Sequence, residues 1–129
     1  MTLSNAQLDR YARHIVLKEI GGAGQLRLLG SHVIVIGAGG IGSPAIQYLT
    51  AAGVGRLTVI DDDAVSVSNL QRQTLFATAD EGAAKAERAA AYALALNPDV
   101  DARAIGRGIT PATAQELLAG ADVVIDGSD

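Results

Sequence analysis

Gly37, Gly39 and Gly42, spaced as Gly-x-Gly-x-x-Gly, follow directly on the β-branched run Val33-Ile34-Val35-Ile36 and lead into an Ala-rich, helix-prone segment. A strand, a tight turn and a helix start in that order make a seat for a phosphorylated ligand. One glycine permits the turn, one lets backbone N–H groups approach a diphosphate, and one lets helix and strand pack closely. The phosphates then face the positive end of the helix. Asp61 ends a second hydrophobic run about twenty residues further on, where an acceptor for a ribose hydroxyl belongs. The bland alternative makes Asp61-Asp62-Asp63 a solubilising turn. On the glycines and Asp61 alone, a nicotinamide-dependent oxidoreductase domain is one fitting reading.

Further polar residues fall on the same side. Ser66 to Gln73 is a polar stretch with few periodic apolar positions, read as a loop or short irregular turn beyond the carboxyl end of a strand, which is the ligand side of a doubly wound sheet. Lys85 stands in the first turn of a strongly helical segment, where a cation opposes the helix dipole. Such a lysine either snorkels to water or serves a nearby anion. Arg10, Arg13 and His14 fall on the polar positions of an N-terminal helix and read, without other information, as a solvated face.

The elements that must position these residues follow from patterning. Residues 5–17 read as one amphipathic helix opened by a Ser4-x-x-Gln7 capping box. Gly21-Gly22-Ala23-Gly24 reads as a break before a short helix over 25–29. Strands are expected at 33–36, 56–60, 100–105 and 122–126, and helices at 40–52, 83–96 and 110–118. This order predicts an α/β, Rossmann-like, mostly parallel sheet with helices on both faces and an N-terminal helical appendage. The whole reads as a single domain, with 1–30 as the helical extension and 31–129 as the βαβ core.

Composition narrows the function. The chain has 129 residues, 49% of them hydrophobic and 19% charged, which suits a compact α/β domain and not a disordered one. A net charge of −4, with no clustered Lys and Arg, disfavours a nucleic-acid partner. No apolar run reaches membrane-spanning length and the N-terminus lacks the order of a secretion signal, so the expected location is cytoplasmic with no membrane partner. With no cysteine, there is no disulfide, no cysteine-ligated zinc site and no cysteine nucleophile within these residues.

Taken in order, Arg10-Tyr11-x-Arg13-His14, the glycine turn, Gln47-Tyr48-Leu49-x-x-Ala52-Gly53-Val54-Gly55, Asp61-x-Asp63, Ser68-Asn69-Leu70-Gln71-Arg72-Gln73, Lys85, Asn97-Pro98 and Asp126-Gly127-Ser128-Asp129 closely resemble the MoeB/ThiF family, the bacterial relatives of ubiquitin-activating enzymes. The resemblance runs from residue 8 to the last residue. It implies an adenylyltransferase that uses ATP and Mg2+ on the C-terminal carboxylate of a ubiquitin-like sulfur carrier protein ending in Gly-Gly, as in molybdopterin or thiamin biosynthesis, releasing pyrophosphate. Carried over by position, Gly37, Gly39, Gly40 and Gly42 form the phosphate turn, with Gly40 beside the phosphates. Asp61 accepts from the ribose, with Asp63 in the same motif. Asn69, Arg72, Gln73 and Lys85 surround the triphosphate, and Asp129 holds the magnesium. Arg13 matches the arginine that a homodimer inserts into its partner's site, so that Arg13, Arg72 and Lys85 form the catalytic set. No general base is needed, because a carboxylate is already ionised; His14 and His32 are then structural or surface residues.

Two departures matter. Family chains have an apolar residue where Glu81 stands and often proline where Ala84 stands, which alters the approach to the Lys85 helix. They also continue well past Asp129, through a segment that grips the carrier, so this chain reads as the N-terminal nucleotide half. A non-catalytic dimerisation module is the remaining alternative.

Overall fold

The β-branched run forms the centre of the sheet: in β1 (His32–Ile36) the side chains of Val33, Ile34 and Val35 are buried. In this computed structural model, which describes residues 1–129, β1 pairs in parallel with β2 (Arg56–Ile60) on one side and β4 (Val123–Asp126) on the other. β3 (Asp101–Ile105) adds in parallel to β2, giving the order β3-β2-β1-β4. Ile36 stands level with Ile60 and with Asp126, and Ile60 with Ile105, so all four carboxyl ends lie along one edge. The order reverses at β1, and ligands of such sheets bind at that switch point.

The expected mostly parallel sheet is therefore wholly parallel. The helix α4 (Gly42–Ala52) joins β1 to β2, and α5 (Lys85–Leu96) joins β2 to β3. α6 (Pro111–Leu117), capped by Thr110, returns from β3 past β1 to β4. Right-handed crossovers put α4 and α5 on one face and α6 on the other. Between α4, α5 and the sheet lies the core: Val33, Val35, Leu57 and Val59 meet Ile46 of α4 and Ala86, Ala89 and Ala93 of α5, whose helical spacing makes one buried stripe. Val65, Leu75 and Phe76 of the 64–77 connection close this core.

Two local expectations are corrected, and a third is made specific. The helix expected over 5–17 is two: α1 (Asn5–Arg10), with the Ser4–Gln7 capping box in place, and α2 (Ala12–Ile15). They part at Tyr11 (φ −103°, ψ 17°), whose side chain is turned into the protein and is 2% exposed. The Gly21–Gly24 run does not break the chain but opens α3 (Gly21–Leu29). Here tertiary contacts outweigh glycine's poor propensity: Gln25 on this helix is fully buried and hydrogen-bonded, and a Cβ on Gly24 would crowd the Ile20 side chain at 3.1 Å. The 66–73 stretch contains a 3-10 turn at Val67–Asn69, held by Ser66 N–H donating to Asn69 Oδ1 at 3.0 Å.

Candidate functional site

A cleft of about 650 Å3 opens along the carboxyl edge of the sheet. The sequence-expected residues Gly37, Gly39, Gly40, Asp61, Asp63, Asn69, Arg72, Gln73, Lys85 and Asp129 all line it. Gly42 and Arg13 do not. A Cβ on Gly42 would collide with the Gly37 carbonyl oxygen, so this glycine serves the close packing of turn on helix. Arg13 is exposed on α2.

Backbone chemistry makes the floor. Gly37 turns the chain at φ +86°, and a Cβ there would lie 3.0 Å from the Gly127 carbonyl and 3.2 Å from the Ser128 nitrogen, so the end of β4 packs closely against the turn. The Gly37 N–H is spent on the Ile60 carbonyl and the Ala38 N–H on Asp61 Oδ2, both at 2.8 Å. The N–H groups of Gly39, Gly40 and Ile41 donate to nothing within the chain and stand just ahead of α4. Unpaired amides at the positive end of an eleven-residue helix form an anion seat.

Cations and amides form one wall. The 66–80 connection is pinned to α4 by Leu75 N–H donating to the buried Ser43 Oγ (3.1 Å) and by Thr74 Oγ1 donating to Gln47 Oε1 (3.1 Å). This brings Arg72 over Gly40, where a Cβ would lie 3.7 Å from Arg72 Nε. The guanidinium has only a long 3.4 Å contact with the Ser68 carbonyl and no carboxylate partner. Asn69 uses its Oδ1 on Ser66, which leaves its NH2 as a donor. Gln73 is 3% exposed, and its Oε1 is buried without a hydrogen-bond partner. Lys85 does not snorkel: it is 5% exposed, with Nζ 3.6 Å from Asp63 Oδ2, and its N–H donates to the Asp63 carbonyl.

Asp61, Asp62, Asp63 and Asp129 are the carboxylates of the lining, and Asp126 stands behind it. Asp61 Oδ2 accepts from Ala38 and its Oδ1 from Asp63 N–H (2.7 Å), so the group is held in a fixed orientation with lone pairs to spare. At the end of β4, Asp126 Oδ1 accepts from both the hydroxyl (2.5 Å) and the N–H (3.0 Å) of Ser128, which holds its carboxyl below the usual carboxylate range. Asp129 lines the cleft beside them.

Sequence reasoning missed Gly108 and Ile109, which line the cleft from the connection after β3. A Cβ on Gly108 would sit 3.1 Å from Asp62 Oδ2, so the two residues approach closely at this end of the cleft. The signal was available in the position of Gly106-Arg107-Gly108 just past a strand's carboxyl end. Both histidines make hydrogen bonds within the fold and neither lines the cleft, so His14 is not the solvated residue that its helix position suggested. His14 Nδ1 lies 2.9 Å from Gln25 Oε1, and His32 Nε2 lies 2.8 Å from Thr58 Oγ1 at the opposite edge of the sheet.

Residues 11–129 match the ThiF family. The chain belongs to that family. It is 53% identical over 129 residues to the SAMP-activating enzyme E1 of Haloferax volcanii and 46% identical to the sulfur carrier protein adenylyltransferase of Thermus thermophilus, covering all of this chain and 48% of each relative. It thus spans about half the length of these relatives. The E. coli tRNA N6-threonylcarbamoyladenosine dehydratase TcdA, solved in complex with ATP, superposes with a TM-score of 0.91 at 32% identity, over all of this chain and 53% of that one.

The residues of this ThiF-family cleft suit a nucleoside triphosphate. The open N–H groups, Arg72, Lys85 and the Asn69 amide are donors for phosphate oxygens, and the rigid Asp61 is an acceptor for a hydroxyl. No group of three or more His, Cys, Asp or Glu side chains could by itself hold a metal. A magnesium ion, which commonly takes one or two carboxylates and otherwise phosphate oxygens and water, fits Asp129 together with a bound triphosphate.

Proposed function

We propose that this chain is the nucleotide-binding half of a homodimeric, cytoplasmic enzyme that adenylates the C-terminal carboxylate of a ubiquitin-like sulfur carrier protein ending in Gly-Gly, of the kind used to build molybdopterin or thiamin. One observation carries the reading: Arg72, the buried Lys85 and the unpaired amides of the glycine turn line one cleft together with the oriented carboxylate of Asp61. Relatives named as a sulfur carrier protein adenylyltransferase and a SAMP-activating enzyme support it, as does a structural neighbour that binds ATP.

In this reading the ribose hydroxyls meet Asp61 and the phosphates lie over Gly39 and Gly40. A carrier carboxylate oxygen bonds to the α-phosphorus as the bond from that phosphorus to the β-phosphate bridging oxygen breaks. The products are an acyl adenylate and pyrophosphate. The nucleophile is ionised at neutral pH, so no side chain removes a proton. What needs stabilising is negative charge gathering on the nonbridging oxygens and on the departing pyrophosphate. Arg72 and Lys85 meet that charge within the chain, with Asn69 and Gln73 holding the triphosphate in line. Asp129 would hold a magnesium ion, which supplies further neutralisation of phosphate charge. Arg13, exposed and remote from the cleft of its own chain, would serve the cleft of a second copy.

The test is ATP–pyrophosphate exchange by the full-length protein with magnesium and a Gly-Gly-ending carrier. Carrier-dependent exchange is expected, and its absence from folded protein would overturn the proposal. Calorimetric binding of NAD without binding of ATP would instead restore the oxidoreductase reading.

A further inference from the structure

α4 and α5 both begin at the cleft, one with the glycine turn and the other with Lys85, and run eleven and twelve residues away from it. Their far ends are therefore about 16–18 Å from the phosphate seat. There they hold the N-terminal arm. Tyr11 Oη donates to Asp99 Oδ2 (2.9 Å) and accepts from Asn97 Nδ2 (2.8 Å), and the same Asn97 amide donates to the Thr50 carbonyl (2.9 Å). Gln25 donates to the Ala52 carbonyl and accepts from His14 Nδ1, both at 2.9 Å. Tyr11 and Gln25 close on Gly53, where a Cβ would lie 2.6 Å from the Tyr11 ring and 2.7 Å from Gln25 Nε2.

Helices of six and four residues do not sustain themselves in water. Neither α1 nor α2 contains a buried residue, and Tyr11 is the first buried residue of the chain and Gln25 the second. These two side chains are the arm's buried anchors, with Arg10 Nη1 donating to the Leu96 carbonyl (3.1 Å) as a tie on the surface. Arg13 lies between the two attachment points, two residues after Tyr11 and one before His14, and is exposed. A phenylalanine could anchor the arm by burial alone. The tyrosine hydroxyl adds two directional bonds, which fix how the arm is turned.

We infer that Tyr11, with the Gln25–His14 pair, is a latch that aims Arg13 at the cleft of a second copy of this chain, and that Tyr11 is a positioning residue for adenylation. This rests on the proposed role of Arg13 in a partner's site. Tyr11→Phe in the full-length protein keeps the ring against Gly53 and removes the two hydrogen bonds. Carrier-dependent exchange should show kcat reduced by about ten- to a hundredfold, the scale of a misplaced catalytic group. The KM for ATP should stay within about twofold and the protein should still unfold cooperatively, a split that a merely structural loss would not produce. Asp99→Ala, which removes only the acceptor, should give the same split and carries the test if Tyr11→Phe does not fold.

Hybrid dimers locate the effect. Pairing Tyr11→Phe with Arg72→Ala subunits should restore exchange, because the site with Arg72 then receives an arm with Tyr11. Pairing wild type with the double variant should leave exchange low, because the site with Arg72 receives the loosened arm. Undiminished exchange in Tyr11→Phe, or no recovery in the first hybrid, overturns the latch. Arg13→Ala separates the two levels: if it loses exchange while Tyr11→Phe keeps it, only the latch fails, and if it is fully active, the role of Arg13 in trans fails with it.

Discussion

Replacing Lys85 by methionine should weaken catalysis without weakening the fold. Lys85 is 5% exposed, and its Nζ lies 3.6 Å from an Asp63 whose side chain is 73% exposed. At that distance the attraction is about 1 kcal/mol in bulk water and about 5 kcal/mol at an effective dielectric of 20. A partner this exposed keeps it near the lower figure. Removing an ammonium group from water costs several kcal/mol, so the pair does not repay the burial of its cation. Methionine fills nearly the same volume without that cost and leaves Asp63 in solvent. The thermal midpoint of Lys85→Met should therefore be unchanged or raised by up to about 5 °C. Carrier-dependent exchange should fall by about a hundred- to a thousandfold, the usual cost of one group stabilising developing charge. A lower midpoint together with undiminished exchange would refute the reasoning, since Lys85 would then be a structural cation.

Three further outcomes follow from the geometry. Gly53→Ala places a side chain at φ +88° and against the Tyr11 ring, so urea unfolding should show a loss of at least about 2 kcal/mol; a loss under about 0.5 kcal/mol would contradict the close approach. Asp61→Asn surrenders the charge that both organises Ala38 and Asp63 and meets the ribose, and calorimetry should find ATP bound about tenfold more weakly. Burial raises the Tyr11 hydroxyl above its ordinary pKa of 10.0, with the Asn97 hydrogen bond opposing and Asp99 assisting. A raised folded-state pKa gives stability that is fully present below about pH 10 and lost as pH rises through the folded value. Denaturation midpoints should thus drop above pH 10 in the native sequence and less steeply in Tyr11→Phe.

The sheet was legible because each strand is a short β-branched or alternating run bounded by glycine or proline, and the glycine turn fixes which strand comes first. The arm was not. A tyrosine at helical spacing reads as one more core position, and nothing local says that its hydroxyl reaches an asparagine and an aspartate 86 and 88 residues away. Gly21–Gly24 misled for the same reason, since the force that makes it helical lies in Gln25 and the end of α4. In the cleft, residues on the turn and at the end of β2 were readable from spacing alone. Arg72 and Lys85 are ordinary surface cations by type, and the family resemblance singled them out. The burial of Lys85, whose backbone is tied to the Asp63 carbonyl, is a property of the assembled fold.

The bond from Ala38 to Asp61 ties the first turn of the cleft to the neighbouring strand across 23 positions of sequence. It also acts as a gauge of chain length. A residue inserted or deleted between Gly37 and Gly42 changes the spacing between the Ala38 N–H that meets the carboxylate and the Gly42 that packs on the Gly37 carbonyl. The length of this six-residue turn, and not only its glycines, is thus part of how the cleft is built.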